Sequence, residues 1–159
     1  MPNATAPVSG DLPVSGDLRD TLRWATHSLR EIYGSRLRRL VLFGSQARGD
    51  AGPESDVDLL VVLEGPISSY EEAKRTSRVA THAAAYRDTA LSFVHMSEET
   101  FDEGRSSLVD PVQEEGIDLL GLFAESTSSE STSSESTSSE SPAEEGTRKP
   151  ESTSNTPTR

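Results

Sequence analysis

Two apolar runs separated by a Gly-Ser turn and a short polar loop constrain this chain more than any other feature. The first run, Leu37–Phe43, leads into Gly44-Ser45-Gln46-Ala47-Arg48-Gly49. The second begins eleven residues after Ser45, as Asp56-Val57-Asp58-Leu59-Leu60-Val61-Val62. Short apolar runs bounded by turn residues form strands, so both predict neighbouring strands in a sheet. Side chains alternate along a strand, which puts Asp56 and Asp58 on one face, about 7 Å apart along its axis. Two anions that close repel unless a cation lies between them, and paired oxygen ligands suit Mg²⁺ or Mn²⁺. A Gly-Ser turn at a helix start offers backbone N–H groups and a hydroxyl to a phosphate. Together they point to nucleotide chemistry.

The rest of the chain sets the frame for that site. Hydrophobic residues are 32% of the 159, below the usual globular share, and the deficit is local. Residues 124–159 hold seven acidic and three basic residues and repeat Ser-Thr-Ser-Ser-Glu three times. Such a segment cannot bury apolar surface and is expected to stay disordered. Residues 1–123 carry 20 acidic and 12 basic residues, a net −8 of the total −12. That acidity excludes avid, non-specific nucleic-acid binding but not a nucleotide whose charge a metal neutralises. The absence of cysteine excludes disulfides and thiolate chemistry. No apolar run reaches membrane-spanning length and the N-terminus lacks a signal-peptide pattern, so a cytoplasmic protein without membrane contact is expected.

The organisation read along the chain has three parts. Residues 1–16, rich in Pro, Gly, Ser and Asp, are expected to form a disordered linker, and hold the first copy and the start of the second of a six-residue repeat, residues 8–13 then 14–19. Residues 17–123 form the domain, and 124–159 the low-complexity tail. Within the domain a helix capped by Asp17 should bury Leu18, Leu22, Ala25, Leu29 and Ile32 and end at Gly34. Strands over 37–43 and 56–63 follow, then a helix over 69–86 with Tyr70, Ala73, Ser77, Ala80 and Ala84 along one side. A third strand covers 91–95, Ser97 caps a short helix, and Pro111 opens another that ends at Gly116. An extended piece over 117–120 closes an α/β (α+β) fold, a small mixed β-sheet flanked by helices.

These motifs resemble the minimal nucleotidyltransferases of the DNA polymerase beta superfamily. The likeness is strongest over residues 40–63 and extends to Glu115-Gly116-Ile117-Asp118-Leu119-Leu120. It implies a nucleotidyltransferase fold in which Gly44 and Ser45 bind the triphosphate and Asp56 and Asp58 are catalytic carboxylates that ligate a divalent metal. The implied reaction passes a nucleoside monophosphate, AMP from ATP, to a hydroxyl acceptor. A further implication is the role of antitoxin to an all-helical HEPN-type partner. Relatives carry a third carboxylate on the next long strand, and counting back from Ser97 puts that position at Ser92. Serine is neutral and a poor metal ligand, while Asp88 lies four residues earlier. The alternative is therefore a catalytically degenerate module that inhibits a helical partner by occupancy.

The smaller candidates have competing readings. Arg48 either touches the nucleotide phosphates or props the loop through Asp50 or Asp58. His27, His82 and His95 lack metal-ligand spacing and read as surface residues. Trp24 and Tyr33 read as core or as a partner-facing patch.

Overall fold

The computed structural model describes residues 12–124, so the expected disorder of residues 1–11 and of the tail from 125 lies outside the described residues. Four strands form one sheet in the order β3-β2-β1-β4. Strand β1 (Leu37–Phe43) runs antiparallel to β2 (Val57–Leu63) and to β4 (Ile117–Asp118), whereas β2 and β3 (Leu91–Ser97) are parallel. The parallel pair needs a crossover, supplied by the long helix α3 (Ser69–Arg87). The mixed sheet flanked by helices is the architecture expected from the sequence, with the strands carrying the Gly-Ser turn and the paired acids side by side.

Each face of the sheet has its own core. Leu40, Leu42, Leu59, Val61 and Leu63 pack under α1 (Gly16–Tyr33) and α3. Val41, Leu60 and Val62 face the other way, toward Phe101 of α4 (Glu98–Asp102) and Val109 and Val112 of α5 (Val109–Glu115). Burial on both faces is why β2 is an unbroken apolar run after Asp58.

Several local expectations are corrected. The cap of α1 is Ser15, whose Oγ accepts from the Leu18 amide at 3.3 Å; Asp17 instead lies in the first turn, where its charge favours the helix dipole. The α1 stripe runs from Leu29 to Tyr33, a step of four, which leaves Ile32 39% exposed. On α3 the buried row is Glu72, Thr76, Val79 and Ala83. Val79 is the branched apolar residue that the sheet accepts, so Tyr70 turns outward and is 74% exposed. The last extended piece stops at Asp118, whose carboxylate accepts from the Leu120 and Gly121 amides and turns the chain into α6 (Leu119–Leu122). Arg30 of α1 ties that helix down by donating to the Leu120 and Phe123 carbonyls at 3.0 and 3.4 Å.

The packed body reaches back into the segment read as linker. Leu12 is 6% exposed and belongs to the core under α1, because the first copy of the hexapeptide supplies an apolar side chain just before the helix cap. Leu12→Ala is expected to cost about 2 kcal/mol, the low end for a buried leucine, since the chain end can relax. Urea unfolding of the full chain checks this; a change below about 0.5 kcal/mol would place Leu12 outside the core.

Candidate active site

Strand β1 delivers Phe43 to Gly44, whose φ of 74° and ψ of −153° reverse the chain into α2 (Ser45–Arg48). The Ala47 and Arg48 amides both turn back onto the Gly44 carbonyl at 3.1 Å, and Asp50 N–H closes on Ser45 at 3.1 Å. That leaves the Ser45 and Gln46 amides, the first of this short helix, without an acceptor inside it, and Ser45 is half-buried. Pro13 packs over the far end of this turn, 3.4 Å from where a Cβ on Gly49 would lie.

One of the two carboxylates stands directly across from the turn. Asp58 pairs with Phe43 in the antiparallel ladder, and a Cβ on Gly44 would lie 2.8 Å from Asp58 Oδ2. The Gly-Ser turn and the carboxylate are thus in contact through the one residue type that leaves room. Asp56 precedes β2 and is exposed, whereas Asp58 is half-buried. Burial, followed by the charge of Asp56, pushes the Asp58 carboxyl above its ordinary value; hydrogen bonding from Ser92 pulls it back. The two acids therefore repel in the arrangement the chain gives them, which is the condition a cation relieves.

Ser92 is the register partner of Asp58 on β3. Asp88 is the exposed left-handed C-cap of α3, outside the strand. Among the described residues, no group of three or more His, Cys, Asp or Glu side chains is placed to hold a metal ion. The donor set is two carboxylates plus a neutral hydroxyl. Mg²⁺ is commonly held by one or two carboxylates, with substrate phosphates and water completing its shell, so the residues present fit such an ion.

Arg48 is exposed and engaged elsewhere, with Asp50 at 3.2 Å and Glu115 at 3.4 Å. Of the two readings for Arg48, this is the loop-propping one, made with Asp50 and not with Asp58.

A second ionic cluster lies at the opposite end of β1. Buried Glu72 faces Arg36 at 3.5 Å and Arg75 at 3.8 Å. The Tyr33 hydroxyl leans toward Glu72 short of good hydrogen-bond geometry, and burial, then Glu72, hold the phenol proton well above its usual range. His95 is half-buried rather than superficial, with its Nε2 3.4 Å from Thr76 Oγ1; burial lowers its pKa, and Glu72 opposes the shift. Trp24 is half-buried, stacked on His82 at 4.6 Å with the Arg87 guanidinium 4.8 Å from its ring centre. Sequence patterning missed the cluster because Glu72 and Thr76 occupy helix positions normally filled by apolar residues.

With the turn, the paired acids and the mixed sheet in place, the class of protein is that of the nucleotidyltransferases. The family model described as "Nucleotidyltransferase domain" matches residues 22–110, and the chain belongs to that family. A protein of Methanocaldococcus jannaschii named as a candidate protein adenylyltransferase is 30% identical over 88 residues, 55% of this chain and 84% of that one. A crystal structure of a nucleotidyltransferase from Sulfolobus solfataricus, so assigned by name, is 21% identical, with a TM-score of 0.45 over 69% of this chain and 86% of the other. A chain in the complex of a tri-AMPylated Shewanella oneidensis HEPN toxin with MNT antitoxin is 19% identical, with a TM-score of 0.42 over 64% and 70%. Among the described residues no helix is long and apolar enough to cross a membrane.

Proposed function

We propose that this protein transfers AMP from ATP to a hydroxyl on a protein, with Asp56 and Asp58 as catalytic carboxylates and Gly44 and Ser45 as the phosphate-binding turn. The observation that carries the reading is the contact between that turn and Asp58, with 2.8 Å left where a side chain on Gly44 would stand. A triphosphate on the turn would have its α-phosphate beside the carboxylates. The acceptor oxygen bonds to the α-phosphorus, the bond to the bridging oxygen breaks, pyrophosphate leaves, and the hydroxyl proton is lost. A divalent ion, Mg²⁺ or Mn²⁺, held by Asp56 and Asp58 would neutralise charge on the reacting phosphates. Arg48 would reach the phosphates by exchanging Asp50 and Glu115 for them, an inexpensive exchange because exposed ion pairs are weak. The family resemblance implies an all-helical HEPN-type partner as the acceptor, with this chain in the role of antitoxin. The domain would span residues 17–123 together with the packed segment from Leu12, flanked by the N-terminal linker and the Ser/Thr/Glu tail.

Labelled ATP, Mg²⁺ and a co-expressed helical partner provide the test. Label on the partner, lost with Asp58→Asn, supports the reading; an inhibited but unlabelled partner overturns it.

One observation favours a second reading, inhibition by occupancy alone. Ser92 stands opposite Asp58 and offers no base for the acceptor hydroxyl. Ser92→Asp puts a carboxylate there and is expected to raise the transfer rate roughly 10²-fold, the low end for a positioned base. Single-turnover rates at saturating ATP check it. A rate unchanged or lower in the variant would mean that the reaction does not lack a base at this position.

A further inference from the structure

We infer that Gln46 is a positioning residue for Asp56: its side-chain amide pins the peptide plane that precedes Asp56 and so sets how the paired carboxylates receive a divalent cation. The inference rests on the proposed roles of Asp56 and Asp58.

Asp56 lies outside β2 and is exposed, so neither the strand ladder nor side-chain packing holds it. It is held through its two flanking peptide groups. The Val57 amide, in the peptide that follows Asp56, donates to the Ala90 carbonyl at 2.8 Å. The Ser55 carbonyl, in the peptide that precedes it, accepts from Gln46 Nε2 at 3.4 Å. Peptide groups are planar, so fixing one atom in each plane limits both backbone rotations at Asp56 and thereby the direction of its side chain. Only the nitrogen of a glutamine amide can donate to a carbonyl, so the orientation of Gln46 follows from chemistry.

The remaining bonds of the loop do not replace this one. The Ser55 amide donates to the Gly52 carbonyl at 3.1 Å, and Ser55 Oγ accepts from the Gly52 amide at 2.9 Å. Those bonds close residues 52–55 on themselves without tying the turn to the rest of the site. Gln46 supplies that tie from α2, one residue beyond Ser45. The same short helix therefore carries the proposed phosphate hydroxyl and the anchor of the first carboxylate. A pair of ligands must be held to within a fraction of an ångström to bind an ion well, and outer partners of ligands commonly affect affinity 10–100-fold.

The experiment is a Mn²⁺ titration of the full chain followed by electron paramagnetic resonance, without nucleotide and with a non-hydrolysable ATP analogue. Thermal unfolding runs in parallel. Gln46→Met keeps the length and removes the donor; Gln46→Arg keeps a donor able to reach the carbonyl. The expected result is about tenfold weaker Mn²⁺ binding for Gln46→Met, near-parental binding for Gln46→Arg, and matching unfolding temperatures. Parental binding by Gln46→Met, or equal loss in both variants, would overturn the inference while leaving the proposed function in place. Absence of Mn²⁺ binding by the parent, with and without the analogue, would overturn both.

Discussion

Asp58→Asn is expected to abolish transfer and at the same time leave the metal-free protein more stable than its parent. Asp58 is half-buried beside the charge of Asp56, and burial, then that charge, raise its pKa. A carboxyl whose pKa is raised by folding opposes folding wherever it is ionised in the unfolded chain. Asparagine removes that opposition and can still meet the Ser92 hydroxyl. The gain in melting temperature should therefore appear at neutral pH. It should fade as the pH falls through the ordinary carboxylate range, where the parent Asp58 also takes up its proton. Transfer should drop by at least about 10²-fold, because charge stabilisation of the reacting phosphates is commonly worth several kcal/mol. Melting curves in chelator across pH 3–8 (roughly the span of carboxylate titration) and label transfer with Mg²⁺ read the two effects separately. A less stable variant would mean that Asp58 is held by favourable partners and serves the fold.

How much of this was legible in advance depended on whether a feature is local. Strand β1 and the end of β2 could be bounded in the sequence because their apolar runs stop at Gly44 and Gly65, where the backbone turns. The Gly-Ser turn was readable because it ends an apolar run, whereas the strand spacing that set both acids on one face reaches only Asp58, since Asp56 lies before β2. Counting back from the Ser97 cap picked out Ser92 on the third strand, and the sheet pairs it with Asp58. The rest depended on contacts distant in sequence. Glu72 is tolerated inside because Arg36, Arg75 and Tyr33 converge on it from other elements, so no periodicity of α3 reveals its buried row. Leu12 read as linker because its neighbours are Gly, Asp and Pro; its burial is decided by the core that α1 creates. Gln46 carried only the signal of lying within the motif, and its partner Ser55 is nine residues away across a loop.

Gly44→Ala should damage both the fold and the site, and Gly65→Ala separates the two effects. Gly44 combines a φ of 74° with a ψ of −153°, a region essentially restricted to glycine, and a side chain there costs about 1–3 kcal/mol. Gly65 also has a positive φ, 81°, yet a Cβ there would meet nothing within 4 Å. Backbone strain alone therefore operates at Gly65. At Gly44 the added Cβ comes 2.8 Å from Asp58 Oδ2, too close to persist, so the carboxylate must swing away or the turn must shift. Either response separates the Gly-Ser turn from the Asp58 carboxylate. Urea unfolding should give Gly44→Ala a loss of about 1–3 kcal/mol and Gly65→Ala a loss of comparable order. Affinity for a non-hydrolysable ATP analogue with Mn²⁺ should fall at least about tenfold for Gly44→Ala and remain at the parental value for Gly65→Ala. Equal affinities in the two variants would show that contact between the turn and Asp58 is not what brings a nucleotide to this site. The reaction would then have to be sought away from the end of β1.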